Sequence, residues 1–220
     1  MDFGVLANNL HYMLGGLLLT FEIAILAIGG GLGWGIILGL ARLSNNGWLY
    51  YPASLYVHIV RGVPLILVIF WIYFLLPVLT GQSLGEFPAV VISFILYEAS
   101  YFAEIIRSGI QSVPKGQVNA GLAAGLRPRQ TALHIILPQA LRNMVPSLVN
   151  HAVVIFQDTS LAYVIGLREF LRRVNLVDAR EARSVELYVF AALVYFLICT
   201  MGTLASHRLE RRTTAYRSRA

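Results

Sequence analysis

Long apolar segments alternate with short polar segments along the chain. An α-helix needs about 20 predominantly apolar residues to cross the ~30 Å hydrocarbon core of a bilayer. Five segments meet this requirement, and the longest allow some tilt. The pattern therefore predicts an all-α integral membrane protein that forms one domain over residues 1–220, with spans at about 14–40, 55–79, 87–106, 145–167 and 187–206.

Glycine recurs along the first predicted span. Gly29 and Gly33, Gly31 and Gly35, and Gly35 and Gly39 are each four residues apart. Small residues at this spacing let a second helix approach the backbone closely. The spacing favours a packing surface over the alternative, which is a flexible helix that merely tolerates glycine.

The stretch 114–138, between the third and fourth spans, is too polar to cross a bilayer. Pro114 suits the first turn of a helix, and Gly125 indicates where that helix ends. A second helix is expected over about 128–136, after which Pro138 is expected to bend the chain. Two short helices of this kind suit docking against another protein. An amphipathic loop lying on the lipid headgroups fits the same pattern.

Composition supports membrane insertion. Of the 220 residues, 57% are hydrophobic and 13% are charged, and the mean hydropathy is +0.69. This profile excludes an ordinary soluble domain. The formal charge of +6 fits basic residues placed beside spans better than it fits nucleic-acid binding. The single cysteine, Cys199, lies in an apolar run, so no disulfide framework is expected.

The distribution of Lys and Arg predicts the orientation. With the amino end outside, the inner segments hold eleven of the 17 basic residues, and the outer segments hold five, all within 168–183. Because basic residues favour the cytoplasmic side, the amino end is expected to be periplasmic and the carboxyl end cytoplasmic. The loop 107–142 is then cytoplasmic. The charged segment 168–186 is expected to form a surface helix outside the membrane, available to an external partner.

The loop 107–142 resembles the coupling loop of ABC importer permeases. That pattern consists of Glu-Ala-Ala, three residues, Gly, nine residues and then Ile-x-Leu-Pro. Here it falls on Asn119-Ala120-Gly121, Gly125 and 135–138. Asn119 replaces the glutamate and Gly121 replaces an alanine, whereas Gly125 and the Ile-x-Leu-Pro end match the pattern.

Further runs resemble one branch of this family. The run GIQSVPKGQ at 109–117 resembles permeases that import polar amino acids, and LPQALRNM at 137–144 and FQDTSL at 156–161 resemble glutamate/aspartate permeases. The resemblance extends over nearly the whole chain and implies the fold of a type I ABC importer permease. It also implies contact with an ATPase through Lys115, Asn119, Ala120, Gly121, Gly125, Leu126 and Pro138.

The resemblance implies partners and a location as well. The partners are a second permease chain, sister or identical, a cytoplasmic ATPase dimer holding ATP and magnesium, and a periplasmic substrate-binding protein. The location is the bacterial inner membrane, in contact with lipid, and no nucleic acid or cofactor is expected in this chain. The chain has no Walker-type G-x-x-x-x-G-K-S/T motif, so ATP hydrolysis is expected in a separate subunit. His134 and His151 lack ligands at metal-site spacing, so no metal site is expected.

Ionisable residues within spans are candidates for function, because charge at bilayer depth is costly. Asp158 is expected near the midplane, flanked by Gln157, Thr159 and Ser160. An amino acid needs an anion for its ammonium group and neutral donors for its carboxylate. These side chains supply both, and a break in the helix would add free backbone N–H groups. A polar contact between helices is the alternative. The ionisable residues are Glu22, Arg61, Glu98, Glu104 and Asp158.

The remaining polar positions are divided among several roles. Glu98 and Tyr101 lie on one face of the third span and are substrate candidates, although Glu98 is equally compatible with a protonated, structural role. Arg61 is a substrate candidate too, but a buried ion pair between Arg61 and Glu104 is favoured. Glu22 favours a subunit contact. Four acids and one arginine suit an anionic substrate poorly, unless a partner subunit supplies positive charge.

Three functions compete on this basis. The first is the membrane subunit of an ATP-driven importer of polar, preferentially acidic, amino acids. The second is an ion-driven carrier that works alone, but such carriers commonly show inverted repeats and none is visible here. The third is a membrane scaffold that transports nothing, but a scaffold would not need a polar cluster at the midplane.

Overall fold

The computed structural model describes residues 4–217, and their side chains as far as Arg208, as an almost entirely helical chain. No strand occurs within these residues. Two π-helical turns, Trp71–Leu75 and Ala132–Ile136, and one 3₁₀ segment, Thr159–Ile165, interrupt the α-helices. The α-helices are α1 (Gly4–Ala41), α2 (Gly47–Arg61), α3 (Leu65–Phe70), α4 (Leu76–Thr80), α5 (Glu86–Gln111), α6 (Lys115–Ala123), α7 (Pro128–Thr131), α8 (Leu137–Asp158), α9 (Phe170–Glu181) and α10 (Ser184–Arg217).

Four helical runs are long and apolar enough to cross a membrane. They contain the first, third and fifth predicted spans, and they overlap all of the fourth except residues 166 and 167. Helix α2 and the run 65–80 meet the same requirement only as a pair, and a bend of 103° separates them. Counting this pair as one crossing gives the five predicted spans. The all-α membrane class is confirmed, with runs at 4–41, 86–111, 128–165 and 184–208.

The second predicted span, 55–79, is broken near its start rather than formed by one continuous helix. Gly62 ends α2, and Pro64 has an extended backbone with φ −62° and ψ 140°. Proline has no N–H group to continue a helix, and it also disfavours the helical conformation of the residue before it. The chain therefore leaves α2 at Gly62 and begins a new helix at Leu65 in a different direction.

Glycines bring α1 and α5 into close contact. A Cβ atom added at Gly35 would lie 2.5 Å from the Phe102 Cβ, and one added at Gly39 would lie 2.9 Å from the Ala103 carbonyl oxygen. Only glycine permits this approach of two backbones. The same test at Gly33 finds no atom within 4 Å. The glycine surface of α1 therefore has two parts. Gly35 and Gly39 pack against α5, whereas the Cβ position of Gly33 faces open space in the described part of the chain.

The predicted pair of short helices in the central loop is present. Helix α6 ends in a Schellman motif, in which Gly125 has φ +83° and the Leu126 N–H donates to the Gly121 carbonyl at 3.1 Å. The left-handed conformation explains glycine at position 125. The Arg127 N–H then donates to the Gln130 side chain at 2.9 Å and starts α7.

Pro138 does not end the second short helix, contrary to the expected bend. The π turn Ala132–Ile136 follows α7 and leads directly into α8. A proline removes one helical hydrogen bond and crowds the carbonyl four residues earlier, and a widened turn relieves that crowding. The helix therefore runs from Pro128 to Ile165, beginning 17 residues before the predicted start of the fourth span and ending close to its predicted end.

Helix α9 forms within the predicted surface segment 168–186. Its apolar face is buried, because Phe170, Val174 and Val177 pack with Met13 of α1 and Leu187 of α10. Its opposite face carries the charged side chains that the sequence pattern predicted. The segment is consequently a packed part of the fold, rather than a helix that only lies on a surface.

The division of the glycine surface predicts unequal effects of the same substitution. Gly35→Ala should destabilise the detergent-solubilised chain by about 1–3 kcal/mol, because its methyl group forces α1 away from Phe102. Gly33→Ala should be neutral, or stabilising by up to about 1 kcal/mol, since alanine is the better helix former. Thermal unfolding of both variants measures the difference. Equal melting temperatures would refute close packing at Gly35.

Candidate functional site

The predicted cluster 157–160 lies where α8 changes into the 3₁₀ segment. The Thr159 hydroxyl donates to the Phe156 carbonyl at 2.6 Å, and the Ser160 hydroxyl donates to the Gln157 carbonyl at 2.8 Å. The Thr159 N–H also remains bonded within the helix. The expected free backbone N–H is therefore absent at Thr159. The Gln157 side chain, which is exposed, lies within hydrogen-bonding reach of the Cys199 thiol, and the Asp158 side chain is half-buried.

Glu98 lies deep within the bundle, with only 1% of its surface exposed. The Nε2 atom of His151 on α8 lies 2.8 Å from its Oε2 atom. Beyond this contact, no hydrogen bond reaches either oxygen of Glu98 in the described part of the chain. Asp158 is near enough to interact electrostatically with both groups. The structure thus brings two predicted residues together with a histidine that sequence reasoning considered only as a metal ligand.

Tyr101 connects this cluster to a second polar group. Its ring stacks on His151 with a centroid distance of 5.4 Å, and its hydroxyl lies 3.3 Å from that of Tyr97. The guanidinium group of Arg61 lies 5.0 Å from the centroid of the same ring. Such a distance permits a cation–π contact. One aromatic side chain therefore contacts both His151 and Arg61.

The favoured ion pair between Arg61 and Glu104 is loose, and two other arginines are the main partners of Glu104. Arg61 Nη1 lies 3.9 Å from Glu104 Oε2, whereas Arg42 Nη1 lies 2.6 Å from the same oxygen. Arg107 binds the carboxylate through both Nε and Nη2. The spacing of Glu104 and Arg107, three apart on one helix, was a sequence signal for this pair. The contact between Arg42 and Glu104 could not be predicted from the sequence, because it depends on how α1 packs against α5.

The residues that the resemblance assigns to ATPase contact differ in burial: some pack between the short helices and others are exposed. A Cβ atom at Gly121 would lie 2.5 Å from Ile135 Cδ1, so the glycine that replaces alanine permits α6 to pack closely against the following π turn. Gly125 has no neighbour within 4 Å at its Cβ position, and Leu126 is half-buried. The exposed members of this set are Lys115, Asn119, Ala120, Gly125 and Pro138.

Glu22 is exposed on α1, as is Gly33 about three turns later on the same helix. A Cβ atom at Gly29 or Gly33 would meet nothing within 4 Å. The side of α1 that carries Glu22 is therefore not covered by the described part of this chain.

Glu169 is a polar group that sequence reasoning missed. Its carboxylate is fully buried and caps α9, accepting hydrogen bonds from the N–H groups of Leu171 at 2.9 Å and Arg172 at 2.6 Å. Burial raises the pKa of Glu169 to about 7, an effect that outweighs both hydrogen bonds. The residue lies between the fourth and fifth spans. Two charged residues follow the 3₁₀ segment in succession, and of these Arg168 is exposed whereas Glu169 is buried.

The sequence matches a known protein family over residues 31–215. The family is described as the inner membrane component of binding-protein-dependent transport systems. The chain belongs to this family and is accordingly a multi-pass inner membrane protein with the fold of a type I ABC importer permease.

Individual relatives match along nearly their whole length. The glutamate/aspartate import permease protein GltK of Escherichia coli O6:H1 is 39% identical over 219 residues, covering 96% of this chain and 98% of that protein. The L-cystine transport system permease protein TcyB of Bacillus subtilis is 38% identical over 203 residues, covering 92% and 86%. A solved amino acid ABC transporter with histidines superposes with a TM-score of 0.92 at 28% identity, covering 96% and 99%.

The buried carboxylate of α9 predicts a pH dependence of stability. Between pH 4.5 and 7 the folded chain binds a proton at Glu169 that the unfolded chain has released, so stability should fall as pH rises through 7. The loss is about 3 kcal/mol at most. Melting temperatures from pH 5 to 8 should therefore decline in the unsubstituted chain and decline less in Glu169→Gln. Glu181→Gln, which changes an exposed carboxylate on the same helix, should keep the original slope; an unchanged slope in Glu169→Gln would contradict the assignment.

Proposed function

We propose that the chain is the transmembrane permease subunit of an ATP-binding-cassette importer for polar amino acids, and that its substrate is an acidic amino acid, glutamate or aspartate. Family membership supports the transport class, and the 39% identity to a permease named for glutamate/aspartate import supports the substrate. Other relatives are named for cystine, arginine and glutamine transport. The observation that carries the proposal is the buried Glu98 carboxylate beside His151 and Asp158.

The two carboxylates are the proposed contacts for the substrate ammonium group. Glu98 is almost fully buried and lacks a hydrogen bond to its Oε1 atom in the described part of the chain. A buried carboxylate without a full set of donors is costly, and a ligand ammonium group offsets that cost. Asp158 adds a second negative charge at the edge of the same cluster. The proposed neutral donors for the substrate are the Gln157 amide and the Tyr101 hydroxyl, and the Ser160 hydroxyl oxygen is a proposed acceptor. Thr159 is fully buried and bonds the Phe156 carbonyl, so its proposed part is to hold the start of the 3₁₀ segment in place.

The proposed partners follow from the exposed surfaces. The exposed side of α6 docks on an ATPase dimer, which holds ATP and magnesium and performs the hydrolysis. The uncovered side of α1, with Glu22, Gly29 and Gly33, contacts a second permease chain, because an ionisable side chain is costly against lipid. The charged face of α9 receives the substrate-binding protein.

Substitution of Asp158 tests the substrate site. Asp158→Asn keeps the shape of the side chain and removes its charge, so uptake at low substrate concentration should fall by about 10- to 100-fold. Glu98→Gln should give a loss of similar size. Uptake of labelled glutamate into vesicles that contain the purified complex measures both, and co-purification with the ATPase verifies assembly. Normal uptake by an assembled Asp158→Asn complex would exclude an essential charge at this position.

The proposed orientation places the amino end in the periplasm and the carboxyl end in the cytoplasm, in agreement with the Lys and Arg distribution. Two exposed positions on opposite sides test it in a Cys199→Ala background. A cysteine replacing Gln82 should react with an impermeant thiol reagent added outside intact cells. A cysteine replacing Gln117 on α6 should react only after the cells are opened. The opposite pattern would invert the assignment.

The loop that ends at Gly125 is the proposed coupling element. Gly125→Val forces a β-branched residue into φ +83°, a conformation that such residues strongly disfavour, and so distorts the connection between α6 and α7. ATP hydrolysis by the reconstituted complex should then respond weakly to the loaded binding protein. Gly125→Asn is the matched control, because asparagine tolerates positive φ. Coupling equal to that of the unsubstituted complex in Gly125→Val would assign the loop to the lipid surface instead.

A further inference from the structure

Three arginines surround one carboxylate at the end of the bundle that carries α6. We use the term arginine pocket for Arg42, Arg61 and Arg107 together with Glu104 and Tyr101. These side chains line a cavity of about 510 Å³. A volume in this range suits a small-molecule ligand.

The arginine pocket has more positive charge than Glu104 compensates. Glu104 hydrogen-bonds Arg42 and Arg107, while Arg61 lies 3.9 Å away, beyond hydrogen-bonding distance. With Glu104 ionised, three guanidinium groups face one carboxylate. The Arg42 side chain is 9% exposed, yet its Nε atom has no hydrogen-bond partner within the described residues. This buried donor shows that Glu104 does not satisfy all the guanidinium N–H groups around it.

A carboxylate is the acceptor that suits the guanidinium groups lining the cavity. A guanidinium group presents N–H donors in a planar fork that matches the two oxygens of a carboxylate. Arg61 is the donor most available for this, because 40% of its side chain is exposed and one face of its guanidinium lies over the Tyr101 ring. The ring holds the group in place and leaves its N–H edge open to the cavity.

The arginine pocket shares Tyr101 with the proposed substrate site. Tyr101 contacts His151, and through it the Glu98 cluster, on one side and Arg61 on the other. We propose that the arginine pocket binds the carboxylates of the transported amino acid after it leaves Glu98 and Asp158, as an exit site on the α6 side. This inference rests on the proposed function. The arginine pocket also supplies, within this chain, positive charge for an anionic substrate.

Glutarate is the probe that separates this site from the first one, since it has two carboxylates and no ammonium group. The purified complex with its ATPase, in nanodiscs of uncharged lipid and without the binding protein, should bind glutarate by calorimetry at fixed ionic strength. Arg61→Gln should weaken this binding at least 10-fold, and Arg61→Lys should weaken it less. Glu98→Gln and Asp158→Asn should leave it unchanged. The control Arg168→Gln changes an exposed arginine beyond the other end of the 3₁₀ segment and should have no effect.

Several results would overturn the exit site without touching the proposed function. These are the absence of glutarate binding to the unsubstituted complex, or equal binding to Arg61→Gln. Loss of glutarate binding when anionic phosphatidylglycerol is added would assign the arginine pocket to lipid phosphate instead. Conversely, glutarate binding that depends on Arg61, combined with normal glutamate uptake by Asp158→Asn, would support the exit site and refute the proposed ammonium contact.

Discussion

The close approach of α1 and α5 is the contact on which the other polar arrangements depend. Gly31 lies against the Cβ atom of Glu98, and Gly35 lies against Phe102, so the glycine side of α1 encloses the face of α5 that carries the buried carboxylate. The same packing brings Arg42, at the end of α1, within 2.6 Å of Glu104. A wider helix separation would take Arg42 away from Glu104 and would uncover the side of α5 that carries Glu98.

The polar groups of the bundle are organised at two levels along α5. Glu98 lies at the first level, with His151 and Asp158 nearby, and this level is rich in negative charge. Glu104 and its three arginines form the second level, nearly two helical turns nearer to α6, where positive charge dominates. Tyr101 lies between them. An amino acid carries charges of both signs, so a path that presents each sign in turn binds different parts of the ligand at different depths.

Local patterns predicted the elements well, and tertiary packing decided the partners. The glycine spacing on α1 and the turn at Gly125 were readable, because glycine leaves a direct signal in the sequence. The change from α8 to the 3₁₀ segment at Thr159 was not predicted; a break there was considered only as a condition for free N–H groups. The Glu98–His151 contact was not, since it joins two helices whose relative rotation no local pattern specifies. Pro64 was a clear signal for the bend after Gly62. The length and hydropathy of segment 55–79 nevertheless favoured one continuous span.

The helical run from Pro128 to Ile165 connects the central loop directly to Asp158. At about 1.5 Å per residue, its segment from Pro128 to Asp158 is about 45 Å long. Apart from the hydrogen bond missing at Pro146, its irregular backbone is confined to the π turn near one end and the 3₁₀ segment at the other. A rotation of about 5° at the α6 end therefore displaces Asp158 by about 4 Å. That displacement exceeds the reach of a hydrogen bond, so a small angular motion suffices to form or break a contact at the far end.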